Sequence, residues 1–173
     1  LDKCVLLPKA ILPLNIFEPR YLEMIDDAMK KNKYIGIIQP SITKKKKIDT
    51  ERVGCLGKVS TYVENDDGTL IIKLTGVCRF NIIEEIENKV PYREMRVAYD
   101  AFNDDLVIED NTDTIDREKL LNVISDYLNV NDLTTDWSVI TDTDTDILIN
   151  AFAMLSPFTA KEKQALLEAR NIE

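Results

Sequence analysis

Apolar residues recur at two spacings along this chain, mostly every second position up to residue 99 and every third or fourth beyond it. The stretch that links the two spacings is Leu12-Pro13-Leu14-Asn15-Ile16-Phe17-Glu18-Pro19-Arg20-Tyr21. Pro13 biases Leu12 away from helix, whereas Pro19 suits a first helical turn, where its missing N–H costs nothing. Residues 12–17 are therefore predicted as a strand and Glu18–Lys31 as a helix. Tyr21, Leu22, Met24, Ile25, Ala28 and Met29 form its buried stripe, and Lys30-Lys31-Asn32 is a fitting C-terminal cluster. Val5-Leu6-Leu7, ended by Pro8, reads as an earlier strand.

The next elements are extended. Tyr34–Gln39 is β-branched and stopped by Pro40, which fits a buried strand in which Gly36 leaves room for another backbone. Val53, Cys55, Val59, Thr61 and Val63 share one face of a long strand that Gly54 and Gly57 allow to bend. Glu64–Gly68 supplies a hairpin turn. Leu70, Ile72 and Leu74 alternate on the returning strand, Phe80 and Ile82 continue it, and Ile83 breaks the phase as a bulge or strand end would. Pro91 opens a last strand with Met95, Val97 and Tyr99 on its inner face. Five or more strands with one early helix predict a small closed or nearly closed barrel.

Beyond Asp100 an acidic segment leads into helical spacing. Leu120, Val123, Ile124, Tyr127 and Leu128 share one face of a helix spanning roughly Ile115–Leu128. A second helix includes Trp137 and Ile140, and a third runs from about Thr145, with Thr145 or Asp146 as N-cap, to Leu155 before Ser156-Pro157. Thr159-Ala160-Lys161-Glu162 is a capping box that starts the last helix.

The stretch from Leu12 to Tyr21 resembles the hallmark of the Lon protease N-terminal (substrate-binding) domain family, in its stand-alone bacterial form. Val53-Gly54-Cys55-Leu56-Gly57, Asp67-Gly68, Gly76-Val77-Cys78-Arg79-Phe80 and Pro91-Tyr92 follow in the order that family shows, and Asn150–Phe158 with Glu162–Glu168 looks like its helical tail. The resemblance implies an α+β fold, a PUA-like β-barrel lobe over residues 1–99 followed by an acidic linker and helical lobe over 100–173. It also implies a non-catalytic module that binds unfolded or partly folded polypeptides, alone or within a protease or chaperone complex.

Composition narrows the chemistry. The 173 residues, 45% of them hydrophobic, suffice to bury a core. There is no apolar run of membrane-spanning length and no signal-like leader, so a cytoplasmic setting is expected, and the absence of an initiating Met points to further residues upstream. Residues 1–99 hold 17 Lys+Arg against 14 Asp+Glu, whereas residues 100–173 hold 5 against 17, an asymmetry that places the lobe boundary near Asp100. The Lys44–Lys47 run reads as a solvated hairpin loop. Cys4, Cys55 and Cys78 are odd in number, lack metal-ligand spacing and read as buried thiols.

The chain has no His, which removes His-based triads and nearly every catalytic zinc pattern. Asp142, Asp144 and Asp146 alternate like calcium ligands, but Ile147 and Ala153 stand where an EF-hand loop needs Gly and Glu. Gly57-Lys58 lacks the remaining residues of a phosphate loop, with Arg52 and Val59 in their places. Ser60, Ser125 and Ser138 have no context that marks a nucleophile. No catalytic residue, metal site or cofactor is therefore expected.

The candidate contact or structural residues are Phe17, Glu18, Arg20, Tyr21 and Arg79. Glu18 paired to an arginine would pin the early helix onto the barrel, while Phe17, Tyr21 and Phe80 are expected in the core. The alternative function is RNA binding on a mildly basic PUA-like barrel. It is disfavoured by the acidic second half and by the lack of a basic stripe interleaved with aromatics.

Overall fold

The protein's fold is taken from a computed structural model that describes residues 4–41, 50–107 and 115–169. The Lys44–Lys47 loop lies outside the described residues. Strand β1 (Ile11–Ile16) leads through Phe17 and Glu18 into helix α1 (Pro19–Lys30), with Pro19 in the first turn as its missing N–H allows. Strands β2 (Tyr34–Ile37), β3 (Val53–Glu64), β4 (Leu70–Ile86) and β5 (Glu94–Ala98) follow, then a 3₁₀ helix (Asp100–Leu106). Helices α2 (Arg117–Val130), α3 (Trp137–Asp142), α4 (Thr145–Leu155) and α5 (Ala160–Glu168) complete the chain, giving an α+β fold.

The strands form one antiparallel sheet in the order β1-β4-β3-β2. Strand β4 is long enough to hold two partners end to end on one edge: β1 along Leu70–Thr75 and β5 along Asn81–Ile86. Among the described residues no ladder joins β2 to β1 or β5, so the expected barrel stays open on that side. Helix α1 packs there, and Ile25 and Ala28 enter the same core as Ile16, Ile35, Ile37, Cys55, Ile72 and Leu74.

The predicted irregularities fall where the pattern breaks. Ile83 is left unpaired by a shift in the β4–β5 register, which makes it a bulge rather than a strand end. A second shift leaves Val77 unpaired between Gly76 and Cys78. Beyond it Phe80 packs on the Gly54 and Gly36 positions and edge-on to Tyr99. The neighbour that a Cβ at Gly36 would crowd is thus the Phe80 ring, 3.2 Å from its ideal position, and not another backbone.

Val5, Leu6 and Leu7 are buried without joining a ladder, contrary to the expected first strand. The segment crosses β4 at Gly76, where Lys9 N–H donates to the Gly76 carbonyl (2.9 Å) and Gly76 N–H to that of Ala10 (2.8 Å). A Cβ at position 76 would lie 2.0 Å from the Leu7 carbonyl oxygen, so the crossing needs glycine. At the other end β5 starts at Glu94, three residues after Pro91.

The acidic segment expected as a linker opens with the 3₁₀ helix, which is bonded to β4 through Arg79 and Asp105. Helix α2 faces inward with Ile124, while Val123 is exposed because it falls off that face. Asp144 rather than Thr145 or Asp146 takes the α4 N-cap position, and Thr145 instead accepts from Arg117 Nη1 (2.8 Å). The Thr159–Glu162 capping box is present. Helix α5 docks with polar groups: Gln164 Nε2 donates to the Val53 carbonyl (3.1 Å), Gln39 Nε2 to that of Ala160 (3.1 Å), and Lys163 Nζ to that of Met154 (2.6 Å).

Candidate functional site

The open side of the sheet holds an apolar groove of about 290 Å³. One wall is β2 and its continuation, Ile35–Ile38 with Pro40 and Thr50, and the opposite wall is Pro91, Tyr92, Arg93 and Met95 ahead of and within β5. Arg20, Tyr21, Met24 and Ile25 of α1 line it as well, and Leu14, Ile16, Ile72 and Leu74 form its apolar base. The groove exists because β2 ends the sheet on one side while the Pro91–Met95 chain, held by β4 through β5, lies on the other.

A polar contact fixes the second wall to the helix. Tyr92 Oη donates to the Asp27 carboxylate of α1 (2.7 Å). That hydrogen bond, with desolvation behind it, holds the Tyr92 phenol protonated and pushes its pKa up to about 12. The rim cations are matched locally: Arg20 pairs with Glu18 (2.8 Å) and Arg93 with Glu85 (2.7 Å). Nothing in this lining resembles a phosphate cradle or a catalytic dyad, and among the described residues no three His, Cys, Asp or Glu side chains cluster as a metal site would need.

The model of the ATP-dependent protease La (LON) substrate-binding domain family matches residues 1–173, the whole chain. The chain belongs to this family.

Two Lon proteases resemble the chain over part of its length. That of Syntrophus aciditrophicus (strain SB) is 26% identical over 115 residues, 61% of this chain and 14% of its own length. That of Desulfosudis oleivorans (strain DSM 6200 / JCM 39069 / Hxd3) is 28% identical over 98 residues, 54% of this chain and 12% of its own length. The chain therefore matches only a small part of these relatives. Among solved structures, the Lon N-terminal domain protein from Xanthomonas campestris is similar with a TM-score of 0.63 at 20% identity, covering 98% of this chain and 87% of that one. The N-terminal domain of Mycobacterium avium complex Lon protease gives 0.62 at 16% identity, with 97% and 86% covered. At these identities the likeness concerns the fold.

Within this LON substrate-binding domain the five candidate residues separate. Arg20 and Tyr21 line the groove, with the Arg20 guanidinium 4.5 Å from the Tyr21 ring centroid. Phe17 is 65% exposed, not in the core, because it sits in the short turn between β1 and α1. Glu18 takes the N-cap position without a side-chain cap bond and, among the described residues, pairs only with Arg20, at the surface. It does not pin α1 to the sheet; the apolar stripe with Ile25 and Ala28 does that.

Arg79 lies away from the groove and joins three segments. Its guanidinium binds both oxygens of Asp105, the Asp105 carboxylate also accepts the Arg79 backbone N–H (2.8 Å), and Nη1 donates to the carbonyls of Leu167 and Ala169 at the end of α5. The Cys55 thiol beneath is pushed up to about 12, first by burial and then by the Asp105 charge, which removes it as a nucleophile. No pattern in the sequence marks Tyr92, Asp27 and Met24 as a set. Their only signals are Pro91-Tyr92 as a motif and Met24 in the α1 stripe, and neither tells which residues meet across the gap.

Proposed function

We propose that this domain is a non-catalytic polypeptide-binding module, holding unfolded or exposed segments of client proteins in the groove between α1, β2 and the Pro91–Met95 chain. The observation that carries the reading is the groove lining: a long apolar floor with its rim charges already paired. A surface that accepts varied clients needs apolar area rather than one convergent polar pocket. The family relationship supports the same reading, since the matching model describes a substrate-binding domain of a protease. In this proposal residues 1–99 make the contact and residues 100–173 buttress the sheet through Arg79 and Gln164. The setting is the cytoplasm, in the company of a protease or chaperone complex.

The test is a titration with two ligands, a reduced unfolded protein and a single-stranded RNA, each at about 50 and 200 mM salt, a range over which phosphate contacts lose orders of magnitude in affinity. Binding of the polypeptide that changes little with salt, leaves it uncut and needs no ATP supports the reading. Tight RNA binding that falls steeply with salt would replace it with the nucleic-acid alternative, and cleavage of the polypeptide would overturn the non-catalytic part.

A further inference from the structure

We propose that the groove takes its polypeptide as an added β-strand laid along the free edge of β2, an inference that rests on the polypeptide-binding reading above. Among the described residues β3 is the only strand that β2 pairs with, and the Tyr34 N–H at its start donates to Asn32 Oδ1 (3.3 Å). The direction of its backbone groups follows from one bond: Val59 N–H donates to the Lys33 carbonyl (2.8 Å), which turns residues 33, 35 and 37 toward β3. The N–H and C=O of Gly36 therefore point to the open edge. Gly36 is exposed and carries no side chain to screen that edge.

The groove lies along this edge and is closed on its far side by Pro91, Tyr92 and Arg93. One more strand would extend the sheet at this edge, beside α1. An exposed edge presents donors and acceptors that only another backbone satisfies in register, and an extended chain supplies them. A helix does not, because its own N–H and C=O groups are already paired and it would bury the edge unsatisfied. The occupant this fits is an uncharged segment of alternating apolar and polar residues: every second side chain drops toward Met24 and Ile72, and the intervening ones face solvent.

The experiment uses the full chain, a fluorescent seven-residue peptide of alternating Val and Ser, and two N-methylated versions of it, methylated at the odd or at the even residues. N-methylation removes the donors on one edge of the strand and keeps every side chain. Strand addition predicts that one methylated peptide binds at least tenfold more weakly than the parent while the other stays closer to it, and that the parent slows amide exchange at Gly36. If the parent and both methylated peptides bind equally and Gly36 exchange is unchanged, strand addition is wrong while polypeptide binding stands. If neither the peptides nor a reduced unfolded protein binds, the polypeptide reading itself fails and takes this inference with it.

Discussion

Arg79 and Asp105 form the most deeply buried ion pair among the described residues, with Nη2 to Oδ1 at 2.6 Å and side chains only 13% and 6% exposed. The two residues belong to different elements, β4 and the 3₁₀ helix, and Arg79 reaches on to α5. A single side chain thus ties the sheet to the start and the end of the acidic half.

The first prediction concerns that pair. Removing one partner leaves the other charge buried and uncompensated, so Asp105→Ala should destabilise the protein by about 3–5 kcal/mol in urea denaturation. The double variant Arg79→Met/Asp105→Leu should lose less than Asp105→Ala does, because no orphaned charge remains. A small loss for Asp105→Ala beside a larger one for the double variant would mean that the carbonyl bonds to α5, and not the ion pair, hold this junction.

Gly76→Ala tests the crossing of the N-terminal segment over β4. The added methyl would meet the Leu7 carbonyl at 2.0 Å, backbone against backbone, and neither side can yield as a side chain would. The loss should reach or exceed the upper part of the ~1–3 kcal/mol range for overpacking. A variant with an unchanged denaturation midpoint would show that residues 5–8 do not cross there.

Tyr92 makes a prediction about pH. Its folded pKa is raised from 10.0 to about 12, so its stabilisation is fully present below pH 10 and is lost as pH rises toward 12, where the folded state must also give up the proton. Cys55, raised from 9.0 to about 12, adds a loss of the same sign that starts lower. Stability should therefore fall with pH above about 9, and Tyr92→Phe should remove the part that lies between 10 and 12. At neutral pH the same substitution should cost about 1 kcal/mol or less, since solvent screens the bond. Identical alkaline slopes for wild type and Tyr92→Phe would contradict the Tyr92–Asp27 contact.

Local pattern made much of this fold legible. Strand spacing located β2 to β5, Pro19 marked the start of α1, and the Thr159–Glu162 box marked the start of α5, because these are settled by residues within one turn or hairpin of each other. What escaped depends on contacts distant in sequence. Val5–Leu7 has strand composition, yet its place is decided by Gly76 and Gly57, some 50 to 70 positions away, and it packs without pairing. Lys163 and Gln164 look solvent-facing in sequence and are buried, because the carbonyls of Met154 and Val53 await them. The candidate site divided in the same way. Arg20 and Tyr21 were legible as part of a motif, but the groove they line also needs Met95 and Ile37, which read only as core positions.

A charge placed inside the groove should stop client polypeptide from binding there. Met24 is half-buried on α1 and lines the groove, so Met24→Glu puts a carboxylate among apolar contacts; Val130→Glu, at a position 82% exposed on α2, is the control. The measurement is the affinity for a reduced unfolded protein by fluorescence anisotropy, with the denaturation midpoint of each variant recorded alongside. Met24→Glu in its folded state should lose affinity at least tenfold, and Val130→Glu should not change it. Wild-type affinity in a folded Met24→Glu protein would contradict binding in this groove.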